Sequence, residues 1–141
     1  MKRISLDQAN RVIAAALNKG AELKLKPLSV AILDPGGHLI AFQRQDGASI
    51  MRFQIAAGKA SGALALGVSS RKIGEMAAER PSFVASLGAV AAQGVIPAAG
   101  GVIVVEGNDV LGAVGVTGDT SDNDEICALA GITAAGLKAQ G

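Results

Sequence analysis

SVAILDPGGHLIAFQRQDG, residues Ser29 to Gly47, has the composition of two strands joined by a tight turn. Val30 to Leu33 is an uninterrupted apolar run, and Leu39 to Phe42 is a second one. Asp34-Pro35-Gly36-Gly37 lies between them and supplies turn chemistry, because proline presets φ at the second turn position and glycine tolerates positive φ at the third. The spacing predicts a hairpin with strands over about 29–34 and 38–44. Asp34, His38, Arg44 and Asp46 form a polar frame around what reads as a buried hairpin, and His38 is the only histidine in the chain.

Working outward, Ser5 followed by Gln8 is a capping-box signal. Leu6, Ala9, Ile13, Ala16, Leu17 and Leu23 then recur at helical spacing, which predicts a long helix over 6–24 before Pro27. After the hairpin, Ser49 is placed to cap a second helix over about 50–67, with Ile50, Phe53, Ala57, Ala60 and Leu64 as its buried stripe. Gly58 and Gly62 imply a close neighbour on another side of that helix. Ser69 or Ser70 opens a shorter helix through about Glu79, and one more turn over 82–88 follows Pro81. A glycine-rich passage from Gln93 to Gly101 carries a predicted short strand at about 92–96. Val102–Glu106 and Val110–Thr117 read as a second hairpin turned at Gly107-Asn108-Asp109. Asp122 with Glu125 reads as another capping box, opening a last helix over about 124–138 with Ile126, Leu129, Ile132 and Leu137 inside.

The order is α-β-β-α-α-β-β-β-α. Strands arrive as hairpins rather than in βαβ alternation, so the fold class is α+β, an antiparallel sheet with helices packed on it. No G-x-G-x-x-G follows a strand, which argues against a dinucleotide-binding fold; Gly112, Gly115 and Gly118 lie within a strand.

A chain of 141 residues is read as a single domain, 1–141, able to bury roughly 68–70% of its unfolded surface without disulfides or structural metal. One cysteine, Cys127, excludes an intrachain disulfide framework and fits a reducing compartment. Polar residues follow Met1-Lys2-Arg3 at once, and no run approaches the ~20 apolar residues of a membrane span. The expectation is a soluble cytoplasmic protein with no membrane role. A net charge of +1 leaves no basic footprint for nucleic acid, and with Trp and Tyr absent there is no base-stacking platform. Apolar content of 50% with 19 glycines predicts large apolar faces on a small body, for which a homo-oligomer is the usual outlet.

Asp34-Pro35-Gly36-Gly37-His38-Leu39, Arg44-Gln45-Asp46-Gly47, Ala56-Ala57-Gly58-Lys59-Ala60, Pro97-Ala98-Ala99-Gly100-Gly101 and Gly112-Ala113-Val114-Gly115-Val116-Thr117-Gly118 occur in that order, before Asp124-Glu125. This ordered set, spanning essentially the whole chain, resembles the GlcG/HbpS family of small haem-binding domains, seen also as the C-terminal domain of PduO-type proteins. The resemblance implies a profilin-like α/β sandwich that assembles into oligomers. It implies haem or iron binding for some members, redox-sensing partners for secreted ones, and for others a small lyase or deaminase activity in nitroaromatic breakdown. Fold transfers across such a family more safely than function.

The residues able to carry chemistry each have two readings. The resemblance makes His38, or its surroundings, part of a non-covalent haem site with imidazole as the metal ligand; the plain reading is a strand-start histidine bonded to a turn carbonyl. Arg52 and Lys59 share a helix face about 10.5 Å apart along the axis and read as a carboxylate clamp, for a haem propionate or a small organic acid. Otherwise they are a solvated face. Arg44, at the end of the first hairpin, joins the ligand-binding set. Gly100 and Gly101 offer backbone amides to an anion or a haem edge, or simply make a tight crossover into the strand at Val102. The acids Asp119, Asp122, Asp124 and Glu125 are oxygen ligands for a hard cation, or dipole and capping partners of the last helix. The family position keeps Asp124 as a ligand contact and Glu125 as a proton carrier. Cys127, among apolar residues, reads as a buried inert thiol.

Two functions therefore stand open. One is a ligand-binding protein of the haem-binding type, its pocket between the hairpin turn, the second helix and the glycine-rich passage. The other is a cofactor-free lyase or deaminase for a small unsaturated or aromatic organic acid, with His38 or Glu125 moving protons and Arg52 or Lys59 holding the carboxylate. A regulatory or structural oligomer with a vestigial pocket is the third, plainer reading.

Overall fold

The computed structural model describes residues 2–141. Helix α1 (Leu6–Glu22) begins at the expected capping box: Ser5 Oγ accepts from Gln8 N at 3.0 Å and Gln8 Oε1 accepts from Ser5 N at 2.9 Å. Strands β1 (Ser29–Leu33) and β2 (Leu39–Arg44) follow, then α2 (Arg52–Leu66), α3 (Ser70–Glu79) and α4 (Pro81–Val90). β3 (Gly101–Glu106), β4 (Asp109–Thr117), α5 (Ser121–Ala134) and a two-residue β5 (Lys138–Ala139) complete the chain. The sheet is antiparallel throughout in the order β2-β1-β4-β3-β5.

β1 lies inside the sheet between β2 and β4, and every one of its residues is buried. This is why its apolar run is unbroken rather than alternating. β2 is an edge strand, only partly covered, so the first hairpin is buried on one arm alone. Val30, Ile32, Val114 and Val116 point to the face covered by α1 and α5, where they meet Val12, Ile13 and Ile132. Leu33 and Ala113 point to the other face, against Ala60 of α2.

Small residues set the distance on that second face. A Cβ on Gly115 would stand 2.0 Å from Ala56 O, and one on Gly101 would stand 2.2 Å from Lys59 O. The α2 backbone therefore lies directly on the sheet, a spacing that any larger residue there forbids. On its far side α2 is crossed by the coil before β3: a Cβ on Gly58 would meet Ile96 Cγ1 at 2.7 Å, and one on Gly62 would meet Val95 Cα at 3.1 Å. The close neighbour expected beside Gly58 and Gly62 is thus the chain's own 92–97 segment.

Several boundaries differ from the expectation for identifiable reasons. α2 buries Ala56, Lys59, Ala60 and Ala63, while Ile50 and Phe53 stay exposed, because the contact selects small side chains rather than large ones. Its N-cap is Met51, with no side-chain bond; Ser49 contributes only its carbonyl, to Arg52 N. Residues 92–96 form no strand, and the fifth strand comes from the C-terminal end instead. α5 stops at Ala134 because Gly136 takes φ +74° and turns the chain back along β3. α5 is also capped earlier than expected, by Thr120 Oγ1 accepting from Asn123 N at 3.2 Å, not by an Asp122–Glu125 box. Ile126 and Leu129 face out from it. α4 is a full helix of 10 residues with only Val84 buried, longer than the single turn expected.

Candidate functional site

The register of β1 sorts the expected site residues into two groups. Its first residue, Ser29, pairs with Arg44 and Thr117, and its last, Leu33, pairs with Leu39 and Ala113. Four strand steps, about 13 Å, separate these ends. His38 belongs to the Leu33 end. Arg44, Arg52, Lys59, Asp124 and Glu125 belong to the end where β4 passes into α5.

At the Leu33 end the turn is held by Asp34, whose Oδ1 accepts from Gly36 N at 2.9 Å and His38 N at 3.0 Å. The His38 ring folds back over Gly36 and turns Nδ1 towards the same carboxylate, at 3.2 and 3.3 Å from its two oxygens. Partial burial pushes the Asp34 pKa up, but the two amides and the facing imidazole outweigh it, so the net shift is downward and the group stays a carboxylate. A carboxylate on Nδ1 favours the Nδ1–H tautomer and leaves Nε2 as the free lone pair. The ring is exposed. Beside it lies a groove of about 210 Å³ with Gly36 and Gly37 on one wall, Ser61 and Leu64 of α2 on the second, and Ala92 and Gly94 on the third. This is the expected location: hairpin turn, second helix and glycine-rich passage. The groove is lined mainly by apolar side chains and backbone, and Ser61 Oγ is already engaged with Gly94 O at 2.9 Å.

At the other end, Lys59 is not half of a free clamp. Its side chain is 3% exposed, and Nζ donates to Asp124 Oδ2 at 3.1 Å and to Val116 O at 3.0 Å. Burial lowers its pKa more than the Asp124 charge raises it, and the Arg52 charge lowers it further. Asp124, equally buried, also accepts from Asp119 N at 2.9 Å, so it is a structural anchor between α2, β4 and α5. Gly100 and Gly101 spend themselves on the same arrangement. Gly101 N donates to Ser70 Oγ at 2.7 Å, Gly100 O accepts from Val116 N, and a Cβ on Gly100 would stand 2.9 Å from Lys59 Nζ. They make room for a buried lysine rather than cradling an anion.

Glu125 is tied to Arg71 of α3 at 3.0 Å, with Asp122 on the same guanidinium, and is remote from His38. Arg52, half-buried, donates through Nη1 to Thr117 Oγ1 at 2.9 Å and lines a cleft with Lys26 and Pro27. Arg44 is exposed on β2 and lines a second cleft, again with Lys26. His38 is therefore not part of one pocket with Arg52 and Lys59, so a proton-transfer site joining it to them does not assemble within one chain; Glu125, at their end, is held by Arg71 and lines neither cleft. Among the described residues no group of three or more His, Cys, Asp or Glu is placed to hold a metal ion. Lys26 was not among the expected site residues. The Lys26-Pro27 pair carries no spacing signal, and only the β1 register brings it beside residues 44 and 52.

The fold is shared with known proteins. A family model described as "Haem degrading protein HbpS-like" matches residues 4–133. Protein ORFY of Klebsiella pneumoniae is 28% identical, with a TM-score of 0.86 over 96% of this chain and 92% of its own. The crystal structure of HbpS is 25% identical, with a TM-score of 0.82 over 94% of this chain and 90% of its own. The structure of a PduOC–haem complex superposes with a TM-score of 0.87 over 99% of both chains at 19% identity, a likeness of fold. These matches agree with an α+β, HbpS-like architecture running from the first helix into the last, and the chain belongs to the HbpS-like family.

Proposed function

We propose that this protein binds haem non-covalently in the groove at the β1–β2 turn, with His38 Nε2 as the iron ligand. The observation that carries the reading is the exposed imidazole held by Asp34 at 3.2 Å and folded over Gly36, a residue of the apolar groove's wall. Its family membership, and a haem complex among proteins of the same fold, support it.

The donor set fits the group. Neutral imidazole is a common axial ligand, and one whose other nitrogen is held by a carboxylate is oriented and made more basic. Bound haem supplies an iron able to exchange ligands or electrons. This chain's own residues do the rest: Asp34 fixes the ring tautomer, and the turn and α2 offer apolar surface. At about 210 Å³ the groove is below the roughly 300–1,000 Å³ of pockets that engulf a drug-sized ligand, so a haem seated there keeps much of its surface outside it. No cation lines the groove to pair with a propionate. We propose the cytoplasm as the compartment, on the single cysteine of the composition.

Titration with haem, read at the Soret band, tests this. His38→Ala is expected to shift the band and weaken binding at least tenfold, with partial rescue by added imidazole. Asp34→Asn is expected to weaken it roughly ten- to a hundredfold through loss of the orienting contact. Identical spectra and affinity in wild type and His38→Ala would remove His38 from the site.

A further inference from the structure

At the opposite end of β1, two clefts meet at Pro27. The smaller, about 220 Å³, is lined by Lys26, Pro27, Ser49, Arg52 and Gly118 among others. The larger, about 580 Å³, shares Lys26 and Pro27 and adds Arg44, Gln45 and Asp46. Three cations thus surround one corner of the molecule, and among the described residues none has a carboxylate within the 4.0 Å of an ion pair, unlike Lys2, Arg11, Lys19, Lys59 and Arg71. The acids facing the corner are Asp46 and Asp119. Asp119 is engaged with Asn123 Nδ2 at 2.9 Å and with the Lys26 amide at 3.3 Å.

Arg52 is set rather than free. Its bond to Thr117 Oγ1 orients the guanidinium plane and uses one donor, leaving the others for the cleft. Beneath it lies an unmet polar demand. Ser29 Oγ is fully buried with no partner, and Ser29 is the direct cross-strand neighbour of Thr117 on the α2 face of the sheet. A buried hydroxyl without a partner is uncommon; Ser29 lines neither cleft, so a ligand there would meet Arg52 and not this hydroxyl. Lys59, the charge behind Arg52, is already neutralised by Asp124, so the positive potential at the cleft mouth comes from Arg52, Lys26 and Arg44.

We propose that this corner is a second binding site, for a small oxyanion ligand carrying a carboxylate or a phosphate, gripped by Arg52 and Lys26 with Arg44 at the outer edge. A fixed guanidinium fork beside a lysine point charge is the combination suited to such groups. The site is separate from the groove at His38 by the length of β1, about 13 Å, so it stands or falls independently of haem binding.

The test is a titration of the full chain with succinate and with inorganic phosphate at low ionic strength, chloride-matched, followed by amide chemical shifts and calorimetry. Saturable binding is expected, with shifts gathered around Lys26–Leu28, Gly47–Phe53 and Gly118 and absent around Gly36–Leu39. Arg52→Gln and Lys26→Gln should each raise Kd roughly ten- to a hundredfold, as for a lost charged hydrogen bond. Arg52→Lys should recover part of the loss, and His38→Ala should change nothing. Preference for succinate or for phosphate supports the site and names the acid group. No saturation by about 10 mM, or affinity unmoved by Arg52→Gln in a variant that melts like wild type, overturns it.

Discussion

Replacing Asp124 with Asn tests the buried lysine most directly. The two side chains are only 3% and 2% exposed, and among the described residues Lys59 Nζ otherwise donates only to Val116 O. The asparagine keeps the shape, but its one oxygen can accept from Asp119 N or from Lys59 Nζ and not from both, so the change removes the charge together with one acceptor. Removing one member of a buried pair costs about 3–5 kcal/mol, because the remaining charge stays desolvated. That is a large share of the 5–15 kcal/mol that typically holds a domain folded. Urea unfolding at pH 7 should show this loss with an unchanged m-value. The double variant Lys59→Met, Asp124→Leu should fall within about 1 kcal/mol of wild type or exceed it, since an apolar pair carries no desolvation cost. The pH dependence supplies a second readout. Burial already holds the Lys59 pKa below its ordinary 10.5, and without Asp124 the opposing attraction is gone, so it falls further. Between that folded value and 10.5 the unfolded chain binds a proton that the folded chain lacks, so stability rises with pH across this window. Asp124→Asn should therefore regain stability towards pH 10.5, and the double variant, which has no Lys59, should not. A loss under 1 kcal/mol at pH 7, or no alkaline recovery relative to the double variant, refutes the account.

Gly115→Ala should be among the most damaging single-methyl additions, because the new Cβ would stand 2.0 Å from Ala56 O and force α2 off the sheet; a loss of about 1–3 kcal/mol or more in urea melts is expected. Cys127 is fully buried, and its pKa is pushed up to about 11 chiefly by that burial, so a thiol reagent should leave it unmodified in the native protein at pH 8 and label it once urea unfolds the chain. Self-association, expected from the composition, should run through α4: Phe83 and Val90 are exposed on a helix whose one packing partner among the described helices and strands is α3, and Phe83→Glu with Val90→Glu should lower the mass seen by light scattering. An unchanged mass moves the interface elsewhere.

The hairpins, the α1 capping box and the antiparallel fold class were legible because each rests on local chemistry: short unbroken apolar runs, a Ser–Gln pair, a proline and glycine at a turn. The groove beside His38 was legible for the same reason, since its first wall is the turn itself. What escaped was whatever depends on register across the sheet. β5 carries two residues and no pattern, and it exists because Gly136 lets the chain leave α5 early enough to meet Val104 and Val105. Lys26 joins Arg44 and Arg52 only through the pairing of Ser29 with its two neighbours.

Arg52 and Lys59 show why helical spacing alone misleads. A seven-residue interval correctly puts both on one face of α2, but it says nothing of how deep each end of that face lies. Arg52, at the first helical position, meets the rim of the sheet at Thr117 and keeps part of its surface in water; Lys59, two turns on, meets Val116 O and Asp124 and is sealed. The missing signal lay in volume rather than charge. A lysine buried in a close-packed interior displaces atoms that its neighbours must give up. Here they are given up at Gly100, where a Cβ would stand 2.9 Å from Nζ and 3.1 Å from Cδ, and at Gly101, where it would strike Lys59 O. The two glycines that read as amides for an anion, or as a tight crossover, are thus the counterpart of a long side chain folded inside. The same reasoning separates the two cations in function: Lys59 is spent on holding α2 to α5, and only Arg52 has donors left for a ligand.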